Sequence, residues 1–115
     1  MANTNGHKKF EVPSRTARLI FDDEYAGAEV RCRLDVPLGM HLEFAKLVDS
    51  QSAADTEEAF KRFSRDVLID WNLTAEGEDI PAKPDGMLLI PPDLAKAILA
   101  AWVAQGQNAP LAERV

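Results

Sequence analysis

The amino-acid sequence predicts an α+β fold in which an N-terminal β-hairpin precedes three helices, with an irregular Pro/Gly-containing connection before the last helix. Two patterns carry this prediction. Apolar and charged residues alternate strictly over residues 28–36, as they do in a strand with one buried and one solvated face. In three later segments, apolar residues recur at helical spacing.

The predicted hairpin joins residues 16–21, which are rich in β-branched and large apolar side chains, to the alternating strand. The acidic turn between them, residues 22–27, ends in Gly27. Pro37 ends the second strand because proline lacks the amide donor that a ladder needs. A two-stranded ribbon leaves both outer edges open to another chain, which is a first indication of a partner.

The first predicted helix covers residues 39–49, with Met40, Phe44, Leu47 and Val48 on one stripe. The second begins with a capping box, Asp55 being the N-cap and Glu58 the N3 residue, and runs to about residue 69. Its predicted buried face carries the following apolar residues: Phe60, Phe63, Val67 and, as a further candidate, Trp71.

Residues 72–81 contain a turn and read as either a small second hairpin or an irregular loop, and Pro84, Asp85 and Gly86 add another turn. Residues 87–90 form either a short strand or an apolar turn. Pro91, Pro92 and Asp93 begin the last helix, and Gly106 is a candidate C-cap. The predicted organisation is a flexible arm over residues 1–12, one domain over residues 13–106 and a flexible tail over residues 107–115.

Composition and charge limit the kinds of partner and the cellular location that we expect. The 115-residue chain has a net charge of −6, which repels polyanions, so we expect no nucleic-acid partner. Its densest basic stretch interleaves arginines with acidic residues. The first nine residues lack the apolar core of a signal peptide, and no apolar run approaches a membrane-spanning length, so we expect no membrane association and a cytoplasmic location.

No residue pattern indicates catalysis, a cofactor or a metal site. The two histidines, His7 and His41, are expected in a loose arm and on a solvent-facing helix start, and no serine lies in a nucleophile-elbow motif. Cys32 falls on the buried phase of the alternating strand, which favours a core residue over a thiol nucleophile. The acidic turns lack the spacing of a calcium loop. We therefore expect a non-enzymatic protein without cofactors.

A protein-binding surface is the remaining candidate site. An apolar segment flanked by proline and glycine is larger than a short loop needs, and it precedes a helix with one large aromatic residue. Trp102 is expected in the core, with an interface role left open. The predicted protein-binding residues are Met87, Leu88, Leu89, Ile90, Leu94, Ile98 and Trp102.

Three stretches carry a resemblance to a known group of proteins: VLIDWNL at residues 67–73, EGEDIP at 76–81 and LIPPDL at 89–94. With Ile98, Trp102 and parts of the hairpin region, they resemble the tail assembly chaperones of siphophages that infect actinobacteria. The resemblance covers about residues 10–105. It implies a bacteriophage protein of the host cytoplasm that binds the tape measure protein during tail assembly and is absent from the virion. It also implies a short and a frameshifted long form.

Two other functions stay open at the level of sequence. A structural virion component, such as a head–tail connector, would assemble through the hairpin edge and form a homo-oligomer. A small acidic protein could instead inhibit a host protein.

Overall fold

A computed structural model of the chain describes the backbone of residues 8–113 and the side chains of residues 8–47 and 49–105. The strands are β1 (Thr16–Ile20), β2 (Glu29–Arg33), β3 (Leu68–Trp71), β4 (Thr74–Ala75) and β5 (Glu78–Asp79). The helices are α1 (Leu38–Asp49), α2 (Ala53–Asp66), α3 (Pro84–Met87) and α4 (Pro92–Glu113), and a short 3-10 helix covers Asp23–Tyr25. This is the predicted α+β class.

The predicted hairpin is confirmed. Strands β1 and β2 are antiparallel, with Ala17 opposite Cys32 and Leu19 opposite Val30. In both strands every second residue is buried, as the alternation in the sequence predicts. The strands are shorter than predicted, since residues 21, 28 and 34–36 lie outside them.

A third strand corrects the predicted end of the second helix. Helix α2 ends at Asp66, and β3 then pairs antiparallel with β2, giving the sheet order β1-β2-β3. The apolar spacing of this segment suits either a helix or a strand, but Ile69 and Trp71 favour a strand once a neighbour is available. Because β2 lies at the centre of the sheet, the two open edges are those of β1 and β3. The edge of β2 that was predicted to be open is paired with β3.

The start of α2 also differs from the prediction. Ser52, and not Asp55, is the N-cap, and its Oγ accepts a hydrogen bond from the Asp55 N–H at 3.3 Å. Asp55 occupies the first turn, where its carboxylate suits the helix dipole and approaches the Ser50 hydroxyl at 3.4 Å. A capping box displaced by three residues satisfies the same pattern, so the sequence left its register ambiguous.

Of the two predicted alternatives for the connection, the structure has the small hairpin. Strands β4 and β5 pair through a two-residue turn in which Glu76 has φ +54° and Gly77 has φ +83°. Positive φ at both central residues is the requirement of a type I′ turn. The Trp71 indole N–H donates to the Ile80 carbonyl oxygen at 2.6 Å, which ties this hairpin to β3.

Residues 88–90 form an apolar turn after α3, which ends at Met87, so residues 87–90 are not a strand. Helix α4 begins at Pro92 as predicted, but it continues through Gly106 to Glu113, so Gly106 is not its C-cap. Glycine tolerates both helical and left-handed backbone, which makes the two roles indistinguishable by residue type. Residues 1–7 of the predicted arm and 114–115 of the predicted tail lie outside the described residues, as does the Val48 side chain.

The core lies between the inner face of the sheet and helices α1, α2 and α4. Three buried aromatic rings meet edge to face at its centre. The ring centroids of Phe44 and Phe63 lie 5.3 Å and 5.5 Å from that of Trp102. The predicted buried residues Phe44, Phe60, Phe63 and Val67 all belong to this cluster. Each helix therefore presents the face that its apolar stripe predicts.

Candidate protein-binding groove

An open groove runs between the first two turns of α2 and those of α4. One wall carries Ala53, Thr56 and Phe60 of α2, and the other carries Pro92, Ala95 and Lys96 of α4. On each helix these positions recur at a spacing of three or four residues and so lie on one face. The end of α1 and the apolar turn at residues 87–90 close the ends. We call this site the α2–α4 groove.

The groove has an apolar floor and a size that suits a peptide. Phe60, Met87, Ile90 and Ala95 line it and are almost fully buried, whereas Leu88 is 49% exposed at its margin. The groove has a volume of about 1010 Å³ and is widely open to solvent. A recess of about 20 Å³ extends it between Phe60, Leu99 and Leu47. Such a surface offers apolar burial to an incoming side chain.

Charged side chains of both signs surround this floor. Asp49 and Glu57 lie on the side of α1 and α2, and Lys96 lies on α4. Glu57 accepts a hydrogen bond from the Lys61 ammonium in an exposed ion pair of 2.9 Å, and this bond raises the pKa of Lys61. Among the described side chains, no ion pair joins Asp49 or Lys96 to a neighbour. These two charges remain available to a bound partner.

The seven predicted protein-binding residues do not share one exposed surface. Two of them, Leu88 and Leu89, are 49% and 68% exposed. The other five, Met87, Ile90, Leu94, Ile98 and Trp102, are buried in the core. The predicted exposed surface between residues 87–90 and the last helix is therefore wrong in extent, because the helix turns its apolar stripe inward. Three of the seven, Met87, Leu88 and Ile90, line the α2–α4 groove.

Trp102 has a structural role in this chain. It is completely buried, and its indole N–H donates to the Arg33 carbonyl oxygen at 2.8 Å. The His41 ring stacks on the indole at a centroid distance of 4.3 Å and an interplanar angle of 7°. The core assignment of Trp102 is confirmed, since nothing of its side chain is left for a partner.

The α2 side of the groove was not predicted. The sequence assigned Phe60 to the core, and it is 8% exposed there, yet its residual surface lines the groove. Ala53 and Thr56 carried no signal of their own, since small residues in a first helical turn are common. The sequence signal available for this wall was the small size of Ala53 and Thr56 on α2 and of Ala95 on α4. Small side chains indicate a groove only when the two helices are known to be neighbours.

His41 and Cys32 have environments that differ from those of catalytic groups. His41 was predicted to face solvent, but it is partly buried. Its ring packs on Trp102, and its Nε2 lies 3.3 Å from the Leu34 carbonyl oxygen. Its Nδ1 is buried and has no hydrogen-bond partner. Cys32 is buried as predicted, and desolvation together with the charge of Asp70 raises the pKa of its thiol to about 12. The thiol is therefore protonated at neutral pH and a poor nucleophile.

The solvent-facing side of the sheet is polar and its charges are matched. A cleft of about 280 Å³ lies there, lined by arginines and acidic residues. The Arg31 guanidinium contacts the Asp70 carboxylate at 2.8 Å, and Arg18 lies 3.8 Å from Glu29. This pairing offers little net charge to a polyanion. The absence of a nucleic-acid partner stays a prediction.

Within the described part of the chain, no three His, Cys, Asp or Glu side chains are grouped closely enough to hold a metal ion. No helix there has the length and apolar character needed to cross a bilayer.

Comparison with known proteins gives no relative: no protein-family model, no curated protein and no solved structure matches the chain.

Proposed function

We propose that the chain is a non-enzymatic, protein-binding assembly factor of the tail assembly chaperone kind, and that the α2–α4 groove receives its client. The observation that carries the proposal is the open groove with an apolar floor and two rim charges, Asp49 and Lys96, that form no ion pair among the described side chains. An open groove between helices with apolar side chains at its floor, and with Leu88 half exposed at its margin, is typical of recognition sites for peptide segments.

The identity of the client is proposed from the sequence resemblance. It would be the tape measure protein of a siphophage, bound in the host cytoplasm before the tail tube forms. An apolar stripe on the client would cover Phe60, Ile90 and Leu88, and its flanking charges would meet Asp49 and Lys96. The net charge of −6 would keep the complex soluble.

Co-expression of the chain with the tape measure protein tests this function. We expect the client to move from the insoluble to the soluble fraction and to co-purify with the chain. A tape measure protein that is equally insoluble with and without the chain would contradict the proposal.

A structural virion component is the second candidate, and the position of β1 at an outer edge of the sheet is the observation in its favour. Edge strands can pair with a neighbouring subunit. Mass spectrometry of purified particles separates the two candidates. A chaperone is absent from mature virions, whereas a connector is present at a fixed copy number.

A further inference from the structure

The segment that precedes β1 exposes two large apolar side chains. Residues 8–14, which we call the leading segment, contain no helix or strand. Within it Phe10 is 84% exposed and Val12 is 72% exposed. Side chains two residues apart in an extended chain lie on the same side, about 7 Å from each other. The segment thus presents a pair of apolar groups that the described part of the chain leaves largely uncovered.

The backbone restricts this segment before any partner binds. Pro13 disfavours helical backbone at Val12 and favours extended backbone there. At the end of the segment, Arg15 is held by Asp35, whose carboxylate accepts a 2.6 Å bond from the Arg15 backbone N–H and bonds of 2.9 Å and 2.8 Å from the guanidinium. A segment whose backbone is restricted at Val12 and whose end is fixed at Arg15 loses less conformational entropy on binding.

The charges of the leading segment complement those of the α2–α4 groove. Lys8 and Lys9 precede Phe10, and Glu11 lies between the two apolar residues. The groove combines an apolar floor with Asp49 and Glu57 on one side and Lys96 on the other. When Phe10 and Val12 face the floor, Lys8 lies on the same side of the segment and can approach Asp49, whereas Lys9 and Glu11 lie on the opposite, outward side.

We propose that the α2–α4 groove binds the leading segment of a second copy of this chain, so that two copies exchange these segments reciprocally. Each copy supplies one segment and one groove, which closes the contact with two-fold symmetry. In this structure the segment of the same chain does not fill the groove, as the exposure of Phe10 demonstrates. The segment and a client would occupy the same groove and so bind in competition, but the inference does not depend on the identity of any client.

Sedimentation equilibrium of the purified full chain tests the association without a client. We expect the mass to rise with concentration toward twice the 12.7 kDa of one chain. Phe10→Ser should weaken the dimer at least about tenfold, as for an interface anchor. Leu38→Ser removes another exposed apolar side chain, 72% exposed on α1, and should leave the dimer unchanged. Both variants alter solvent-exposed residues, so their thermal unfolding should match that of the wild type.

Disulfide trapping locates the contact. Mixing a Val12→Cys chain with a Leu88→Cys chain should give a cross-linked heterodimer, while Val12→Cys with Leu38→Cys should not, since Leu38 is at the far end of α1 from the groove. The native Cys32 is buried and does not compete. A chain that is monomeric at every concentration, or whose dimer is insensitive to Phe10→Ser, would overturn the inference. So would a cross-link that forms only within a doubly substituted chain.

Discussion

At the scale of single residues, Trp102 shows how one side chain joins the layers of this fold. Its indole is surrounded by rings from α1 and α2 and bonded to the backbone of β2, at Arg33. Because Arg33 is the last residue of β2, this hydrogen bond joins the end of the central strand to helix α4. Removal of the indole would leave both a cavity and an unpaired carbonyl oxygen.

Gly86 gives a sharp test at this scale. A Cβ at this position would lie 1.7 Å from the Pro81 carbonyl oxygen, a contact that requires backbone movement. We expect Gly86→Ala to destabilise the fold by about 1–3 kcal/mol, the usual cost of overpacking. Gly39→Ala is the matched control, because a Cβ there meets nothing within 4 Å and lies in helix α1. That variant should be unchanged or more stable by up to about 1 kcal/mol in urea unfolding.

The pair of Arg15 and Asp35 predicts a dependence of stability on pH. Hydrogen bonds from Arg15 lower the pKa of Asp35 from 3.8 to about 2. A carboxyl with a lowered folded pKa stabilises the fold above its unfolded pKa, and that contribution disappears as the pH falls from about 4 to about 2. We expect Asp35→Asn to cost about 1–2 kcal/mol at pH 6, allowing for solvent at the partly exposed Arg15.

Urea unfolding of both proteins between pH 6 and pH 2 measures this contribution. The difference between wild type and Asp35→Asn should narrow steadily below pH 4. A difference that is constant over the whole range would show that the carboxylate charge does not stabilise the fold.

At the scale of elements, the N-terminus of α2 depends on Ser52. Its hydroxyl accepts the Asp55 N–H, one of the four amides that a helix start leaves unpaired. Ser52→Ala should therefore lower the free energy of unfolding by about 1 kcal/mol. The neighbouring exposed Gln51 is not a cap, and Gln51→Ala should stay within about 0.5 kcal/mol of the wild type. Equal effects of the two substitutions on the free energy of unfolding would show that Ser52 is not the N-cap that stabilises α2.

The hairpin and the helical stripes could be predicted from sequence because their periods of 2 and 3.6 residues are set by local geometry. Strand β3 could not. Its residues 68–71 become a strand because β2 offers an edge, with Asp70 opposite Arg31, and that neighbour is 39 residues away along the chain. A pattern confined to four residues carries no information about such a distant partner.

At the scale of the whole molecule, the candidate site was predicted only in part. The turn at residues 87–90 was identified because proline and glycine isolate an apolar run too large for its loop. The opposite wall depends on how α2 and α4 lie side by side, which no single segment encodes. Leu94, Ile98 and Trp102, which the sequence also offered for binding, lie in the core, because one apolar stripe serves a core and an interface equally well.

The solubility of a co-expressed tape measure protein, compared between two neighbouring leucine variants, tests the central claim most directly. Leu88 lines the α2–α4 groove, whereas the adjacent Leu89 is more exposed and lies outside it. Leu88→Asp places a charge at the apolar margin and should reduce the soluble client at least about tenfold. Leu89→Asp should retain the wild-type yield, and both chains should unfold at the same temperature. Equal client yields from the two variants would contradict a client site in the groove.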